Sequence, residues 1–432
     1  MNPNSDVIGK TQNRVPKPRL RLLLVSSDTY PATRVDVSVL FAEELATRGH
    51  VIDWILQSEG ACEKAYVTPW GSGSVWVGPT DLGTSLWRRV RKHVLGIVHD
   101  LKLFSLLKRG NYDIIEVKDK FLSGLFAIVA ARVLRKRFVY WLSYPIPESY
   151  LHGARDGTAR YPALWLIRGA AFSFLLYRVL LRAADHVFVQ SDQMQRDVAG
   201  RGVPLAKLTP VPMGVKLDDV PVGPRIDSHS TIPVGDRCFL YLGTISRVRR
   251  MDFLIRVLAK VREQISDAKL YLIGAGDDPA DQQSLIDEAR RLDVLEAVVF
   301  TGNLPRDEAF RYVQEADVCV SPIFPNLVLK AASPTKLVEY MALGKAVVAN
   351  DHPDQRMVLE QSGAGICVPW DEGAFAAAIV ELMNSPQLAS AMGQRGRRWV
   401  ASNRAYSIIA DRVERAFLKV LGSASGERHE RP

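Results

Sequence analysis

The stretch SPTKLVEYMALGKAVVA, Ser333 to Ala349, carries the features of a small-molecule anion site joined to a buried strand. Ser333 suits an N-cap and Pro334 the first helical position, where a missing N–H costs nothing. Leu337, Tyr340, Met341 and Leu343 fall on one apolar face, and Gly344 stands where a left-handed C-cap is expected. Residues 346–349 then read as a buried strand. Free N–H groups and the positive dipole end at the helix start suit a phosphate. Thr335 lies four residues and Lys336 three residues before Glu339, so the three share one face. Helical side chains lean towards the N-terminus, so Glu339 is expected to reach back to where a nucleotide's ribose hydroxyls lie. An ordinary capped helix with an exposed Lys–Glu pair has the same spacing. The segment alone leaves both readings open.

Strand-like and helical runs alternate on both sides of it. In the first half, apolar runs at 20–26, 51–56, 113–117, 138–142 and 185–190 read as strands, with helices at 37–48 and 123–134. A Pro-rich stretch, 211–237, reads as a connector. The theme restarts with strands at 238–242, 269–273, 298–300 and 318–320 and helices at 252–263, 279–292 and 306–315. This alternation implies an α/β protein with two Rossmann-like, doubly wound parallel-sheet domains. They should face each other, with ligands at the carboxyl ends of the strands. The expected organisation is a flexible lead-in over 1–19, a first domain over 20–215, a linker over 216–237, a second domain over 238–403 and a flexible tail over 422–432.

Composition agrees with a globular enzyme of 432 residues, 47% hydrophobic and 24% charged, too long for one core. Cys62, Cys238, Cys319 and Cys367 are scattered, which points to neither a disulfide framework nor a zinc site. A reduced, cytoplasmic setting is expected. The lead-in lacks an apolar core of the signal-peptide kind, and no run of eighteen apolar residues exists, so no membrane crossing is expected. The net charge of +9 asks for an anionic partner. No nucleic-acid reader motif stands among the basic residues. The segment 87–109 interleaves Arg88, Arg89, Arg91, Lys92, Lys102, Lys108 and Arg109 with Val, Leu, Ile and Phe. The segment 161–182 is richer in aromatics and carries Arg168, Arg178 and Arg182. Basic helices with an apolar face can lie at an anionic membrane surface, or simply pack on their own domain; periodicity does not separate the two.

The signature stretch resembles the donor site of retaining nucleotide-sugar glycosyltransferases of family 4, which have the GT-B fold. In that family the second glutamate of a Glu-x7-Glu motif precedes Ala-Met-Ala or Tyr-Met-Ala and holds the donor ribose; Glu339 matches it. The first glutamate falls on Ala331, a departure shared by relatives with a Ser-Pro-x-Lys loop. Three more landmarks follow the family's order. In YLGTISRVRRMDF, Arg250 stands at the lysine that grips the donor pyrophosphate, while Thr244 replaces the arginine after Gly243 and leaves Arg247 as a nearby substitute. In LYLIGAGDD, Gly274 and Gly276 let the backbone turn beside a ligand. After the strand at 298–300, Asn303 and Leu304 occupy the place whose backbone contacts the base.

The resemblance implies a GT-B transferase with Arg250, Lys336 and Glu339 at the reacting diphosphate and ribose. Gly243, Thr244, Arg247, Gly274, Gly276, Asn303, Leu304, Ser333, Pro334 and Thr335 would surround the donor. It also implies that the last helix, 404–421, crosses back onto the first domain. Front-face displacement needs no enzymic nucleophile, and the fold needs no metal, so neither cofactor nor metal is expected. The first half departs further: the glycine pair after strand one is absent, and Ser143-Tyr144 replaces the family histidine. Arg34, Asp119, Ser143, Tyr144 and Glu148 are the acceptor-side candidates, with Asp119 and Glu148 read as loop carboxylates. The expected partners are a nucleotide-sugar donor, a lipid-linked saccharide acceptor and an anionic membrane surface, with no nucleic acid. Two rivals stay open, a nucleotide-sugar epimerase of the same fold and a catalytically degenerate partner subunit.

Overall fold

The computed structural model describes residues 18–83, 85–157, 159–221, 231–276 and 278–426. The first domain is built on β1 (Arg21–Tyr30), β2 (Val51–Ser58), β3 (Tyr66–Trp70), β4 (Gly73–Gly78), β5 (Ile114–Lys118), β6 (Arg137–Leu142), β7 (His186–Val189) and β8 (Leu208–Pro210). They form one sheet in the order β3-β4-β2-β1-β5-β6-β7-β8. All pairs are parallel except the β3–β4 hairpin. The second sheet joins β9 (Cys238–Leu242), β10 (Lys269–Ile273), β11 (Val298–Gly302), β12 (Val318–Ser321), β13 (Val347–Asn350) and β14 (Gly365–Val368). Its order, β11-β10-β9-β12-β13-β14, is parallel throughout. Each order reverses beside the first strand of its sheet, which is where an open α/β sheet leaves a crevice.

Helices cover both faces of each sheet. The first domain carries α1 (Val35–Ser38), α2 (Leu86–Asp100), α3 (Lys102–Arg109), α4 (Phe121–Leu134), α5 (Ile146–Gly153), α6 (Pro162–Phe174), α7 (Leu181–Ala183) and α8 (Asp192–Ala199). The second carries α9 (Asp252–Arg262), α10 (Pro279–Arg291), α11 (Arg306–Glu315), α12 (Thr335–Ala342), α13 (Pro353–Ser362), α14 (Glu372–Asn384) and α15 (Pro386–Asn403). Finally α16 (Tyr406–Gly426) returns to the first domain, where Tyr406, Ile409, Val413 and Phe417 join the core around Phe41, Trp54 and Trp141. Val215 pairs with Ala405 at the crossing.

Several expectations are corrected. The β3–β4 hairpin was not read from the sequence, because Pro69 and a turn at Gly71 interrupt a short, half-exposed edge pattern. The basic segment 87–109 is two helices, broken at Leu101. Glu148 lies inside α5 rather than in a loop. Helix α16 continues to Gly426, through the first residues of the expected tail; 427–432 lie outside the described residues, as do 1–17 of the lead-in and 222–230 of the linker. Among the described residues one helical run, Pro162–Ala183, is long and apolar enough to cross a membrane, although polar residues interrupt every long apolar stretch of its sequence. Ser333 is not an N-cap. The helix begins at Thr335 behind an extended Pro334, and no side chain caps it.

Candidate functional site

The floor of the site is backbone. Gly243 and Gly274 end β9 and β10 at φ of 141° and 126°. Their N–H groups donate to Ile273 O (2.8 Å) and Gly302 O (2.9 Å), tying three neighbouring strand ends together. A Cβ on Gly274 would fall 2.3 Å from Gly243 O, and one on Gly243 would fall 2.3 Å from Lys336 Cε. Only glycine allows both the left-handed turn and this approach. Lys336 therefore lies directly over the end of β9, with its ammonium 5.0 Å from the Tyr241 ring centre. Buried Tyr340 locks the arrangement by accepting a 2.7 Å hydrogen bond from Leu242 N. Gly276 sits one loop away, where a Cβ would fall 2.2 Å from Ile245 O.

Glu339 stands one turn further along α12 with a side chain only 17% exposed. Arg306, at the start of α11, brings a guanidinium nitrogen to 3.8 Å from its Oε1 and holds Asp219 at 3.2 Å with another. Burial raises the Glu339 carboxyl above its ordinary range, opposed by Arg306 and then Lys336. Asn303 is exposed and Leu304 half-buried just after β11, two or three residues before Arg306. The β9–α9 loop behaves differently. Arg250 adopts a left-handed φ of 55°, bonds Asp252 Oδ1 at 3.4 Å and places its guanidinium 5.4 Å from the Phe324 ring centre. Arg247 turns towards Asp281 (3.7 Å), and both arginines line a cavity of about 340 Å³ with Asp252, Arg256 and Glu288. Thr244 is exposed, and its carbonyl accepts from Tyr241 Oη at 3.2 Å.

The start of α12 opens on a second cavity, of about 320 Å³, between the domains. Ser333 and Thr335 meet Arg34, Ser143, Tyr144 and Met213 there. The Ser333 hydroxyl is absorbed by structure. It accepts from Met213 N (3.1 Å) and Arg404 Nη1 (3.1 Å) and donates to Asp354 Oδ2 (2.9 Å). Arg404 and Asp354 form a 2.7 Å ion pair with both side chains at most 4% exposed. This demand explains why Ser333 does not cap the helix.

On the first-domain wall, Arg34 grips Asp36 through two hydrogen bonds of 3.0 and 2.6 Å. Buried Lys118 holds Asp28 at 2.8 Å and Asp36 at 3.5 Å. Burial opposes the Asp36 charge, but Lys118 and Arg34 outweigh it and keep its carboxyl below the usual range. Asp119, at φ 54°, accepts from Ser143 N (2.9 Å) and from the Ser143 hydroxyl. Burial raises its carboxyl despite Lys118, Ser143 and Arg34. Glu148 is committed elsewhere, accepting from Tyr177 Oη (3.0 Å) and pairing with Arg201 (2.6 Å).

Two family descriptions match the chain, "Glycosyl transferase 4-like domain" over residues 37–214 and "Glycosyl transferases group 1" over residues 236–385. The chain belongs to the family 4 type of glycosyltransferases. Among its relatives, a glycogen synthase of Mycobacterium tuberculosis is 25% identical over 59% of this chain and 58% of its own length. A phosphatidyl-myo-inositol mannosyltransferase of the same species is 29% identical over 50% of this chain and 55% of its own. The chain thus spans little more than half the length of the curated relatives it matches. Its fold is GT-B. The structure is similar to sucrose-phosphate synthase from Thermosynechococcus elongatus, at a TM-score of 0.72 and 20% identity, over 94% of this chain and all of that one. It is also similar to HepE of Anabaena, solved with UDP and glucose, at a TM-score of 0.64 and 13% identity, over 93% of this chain and all of that one.

Within this family member the sequence candidates separate into groups. Lys336, Glu339, Gly243 and Gly274 come together at the strand ends. Arg34, Ser143, Tyr144, Ser333 and Thr335 share the interdomain cavity, with Asp119 bonded to Ser143 behind them. Among the described residues, no hydrogen bond or ion pair joins Arg250 to Lys336 or Glu339. Arg306 was missed, although its place just after Asn303-Leu304 put it at the carboxyl end of β11, facing the same crevice. Lys118 and Asp36 were missed because a buried lysine at the end of an apolar strand reads as an ordinary boundary.

Proposed function

We propose that the protein is a retaining, metal-independent hexosyltransferase. It would move a sugar from a nucleotide-sugar to a saccharide carried on a membrane lipid at the cytoplasmic face, in the assembly of a surface or secreted polysaccharide. The observation that carries the donor half is Lys336 lying over the Gly243–Gly274 floor with half-buried Glu339 one turn behind it. The uncapped N–H groups of α12 and the Lys336 ammonium suit the diphosphate, and Glu339 suits the ribose hydroxyls. Arg250 supplies further positive charge on the loop that leaves Gly243. No divalent cation is invoked, because these groups already meet the charge that grows on the departing diphosphate.

In the proposed step the acceptor hydroxyl adds to the anomeric carbon on the face from which the diphosphate leaves. The sugar–phosphate bond breaks, its electrons stay on the diphosphate, and the acceptor proton passes to the departing phosphate oxygen. No covalent enzyme intermediate forms. The site contributes orientation and charge stabilisation. Arg34, Ser143 and Tyr144 suit the acceptor from the opposite wall of the cavity. The lipid-held acceptor is supported by the phosphatidyl-myo-inositol mannosyltransferases among the relatives.

Calorimetry with nucleoside diphosphates tests the reading. Glu339→Gln should weaken the complex by about 1.5–3 kcal/mol, the scale of a charge-assisted hydrogen bond. Unchanged affinity removes Glu339 from the donor site, and the absence of any nucleoside diphosphate binding removes the transferase reading itself.

A further inference from the structure

Helix α2 is mounted inside out. Its inward face is polar: His99 Nε2 lies 2.9 Å from Trp76 O, and Asp100 accepts from Lys120 Nζ (2.8 Å) and from the Ser123 hydroxyl (2.5 Å). Gly96 presses on Gln57, where a Cβ would meet the side-chain amide at 2.8 Å. The outward stripe is apolar, with Trp87 (75% exposed), Val90, Val94, Val98 and Leu101 at helical spacing. A helix that rests against soluble surroundings normally reverses this arrangement.

The stripe has neighbours. Helix α4 exposes Val129 and Val133, and α6 exposes Leu164, Ile167 (68%) and Phe174 (66%) at i, i+3 and i+10. Ser123 of α4 bonds Asp100 of α2, and Phe121 of α4 stacks on Phe172 of α6 at 4.6 Å, so the three outward faces belong to one side of the sheet. Exposed Arg88, Arg89 and Arg91 flank the α2 stripe, and exposed Arg168 and Arg178 flank that of α6. Large apolar patches on a soluble domain mark binding surfaces, and a basic border selects an anionic one.

We propose that this face, α2–α4–α6, docks the first domain on an anionic phospholipid bilayer, lying in the interface plane. Helix α6 does not cross the bilayer. Its continuation, the π-helical turn Leu175–Leu180 and α7, sinks Leu176, Leu180 and Leu181 into the domain core, and Gly169 is pressed against Leu151 of α5. The part of the apolar run up to Phe174 is free to meet lipid. The same α5 touches α6 through Tyr150 and Trp165 (5.3 Å) and follows directly on Tyr144 and Pro145 of the interdomain cavity. A saccharide held in the bilayer would thus reach the cavity beside the docked face. This deepens the lipid-acceptor reading above, while the docking itself rests on exposure and charge.

Sedimentation of the full chain with vesicles tests it. The protein should pellet with phosphatidylglycerol vesicles at low salt, much less with phosphatidylcholine, and detach as salt screens the charges. Trp87→Ser/Val94→Ser/Ile167→Ser/Phe174→Ser should lower the partition at least about tenfold, since four apolar side chains no longer leave water on docking. Arg88→Glu/Arg89→Glu/Arg91→Glu should abolish the preference for anionic lipid. A nucleoside diphosphate-induced rise in melting temperature, equal in all variants, certifies that the fold and donor site are intact. Failure of the wild-type chain to pellet, or full pelleting of the apolar variant, overturns the proposal. So does a dimer that the apolar variant dissociates without any vesicle binding. Vesicle binding with no response to any nucleoside diphosphate leaves this face standing and removes the transferase reading.

Discussion

Glu116, at the centre of β5, is fully enclosed, and among the described residues neither carboxylate oxygen has a hydrogen-bond partner. Burial raises its pKa to about 8, with Lys118 opposing. Because the folded value lies above the unfolded one, the native state holds this proton where the unfolded chain has lost it. The stability it confers is complete below about pH 4.5 and is lost as the pH climbs towards 8. Glu116→Gln should flatten that slope, making the variant more stable than wild type at pH 8 by roughly 1–4 kcal/mol. Chemical denaturation at pH 5 and pH 8 measures it, and an equal difference at both pH values refutes it. Glu339 has the same sign for another property. Its carboxyl is raised, so donor affinity should fall as the pH drops through that raised value, and Glu339→Gln should remove the dependence. Lys336 and Glu339 could be named as candidates from the family resemblance, since their spacing alone is shared by any capped helix with an exposed Lys–Glu pair. Burial was not legible. Nothing in the letters around Glu116 distinguishes an enclosed glutamate from one at a sheet edge.

At the scale of elements, α12 is held at three points. Tyr340 binds the end of β9, Lys336 covers Gly243, and the preceding Ser333 joins the Arg404–Asp354 pair. Its proposed phosphate role predicts a selective loss. Lys336→Ala should weaken a nucleoside diphosphate far more than the nucleoside, by about 1.5–3 kcal/mol for a charged hydrogen bond. Equal losses for both ligands would show that Lys336 supports the loop and touches no phosphate. Parallel strands such as β9, β10 and β12 were legible as short apolar runs, since burial on both faces leaves no alternation to misread. The β3–β4 hairpin was not, because its edge is half-exposed and interrupted by Pro69. The true start of α12 was also hidden. The competition for the Ser333 hydroxyl comes from Asp354 and Arg404, 21 and 71 residues away.

Across the whole molecule, a set of polar contacts among the described residues fastens the two domains. Ser191 donates to Ala331 O at 2.7 Å, Met213 N donates to Ser333 at 3.1 Å, and Arg404 bridges Met213 O, Ser333 and Asp354. Removing Arg404 leaves Asp354 buried and unpaired, which costs about 3–5 kcal/mol. Arg404→Ala should therefore lower the urea midpoint strongly, and a shift within the scatter of surface variants would show the pair to be inert. The two-domain plan was legible from the repeated strand–helix alternation. How the walls meet was not, since it depends on pairs such as Met213 with Ser333 that lie 120 residues apart.

Helix α16 gives the molecule an order of assembly. The core around Phe41, Trp54 and Trp141 is closed by Tyr406, Ile409, Val413 and Phe417, yet the last strand of that domain ends at Pro210. During synthesis at about 5–20 residues per second, roughly 200 further residues must emerge first, on the order of 10–40 s. The second domain's sheet and its helices through α15 lie in unbroken sequence between them. The half of the chain translated first is thus completed last, and it waits on the ribosome with an open apolar flank while its partner folds.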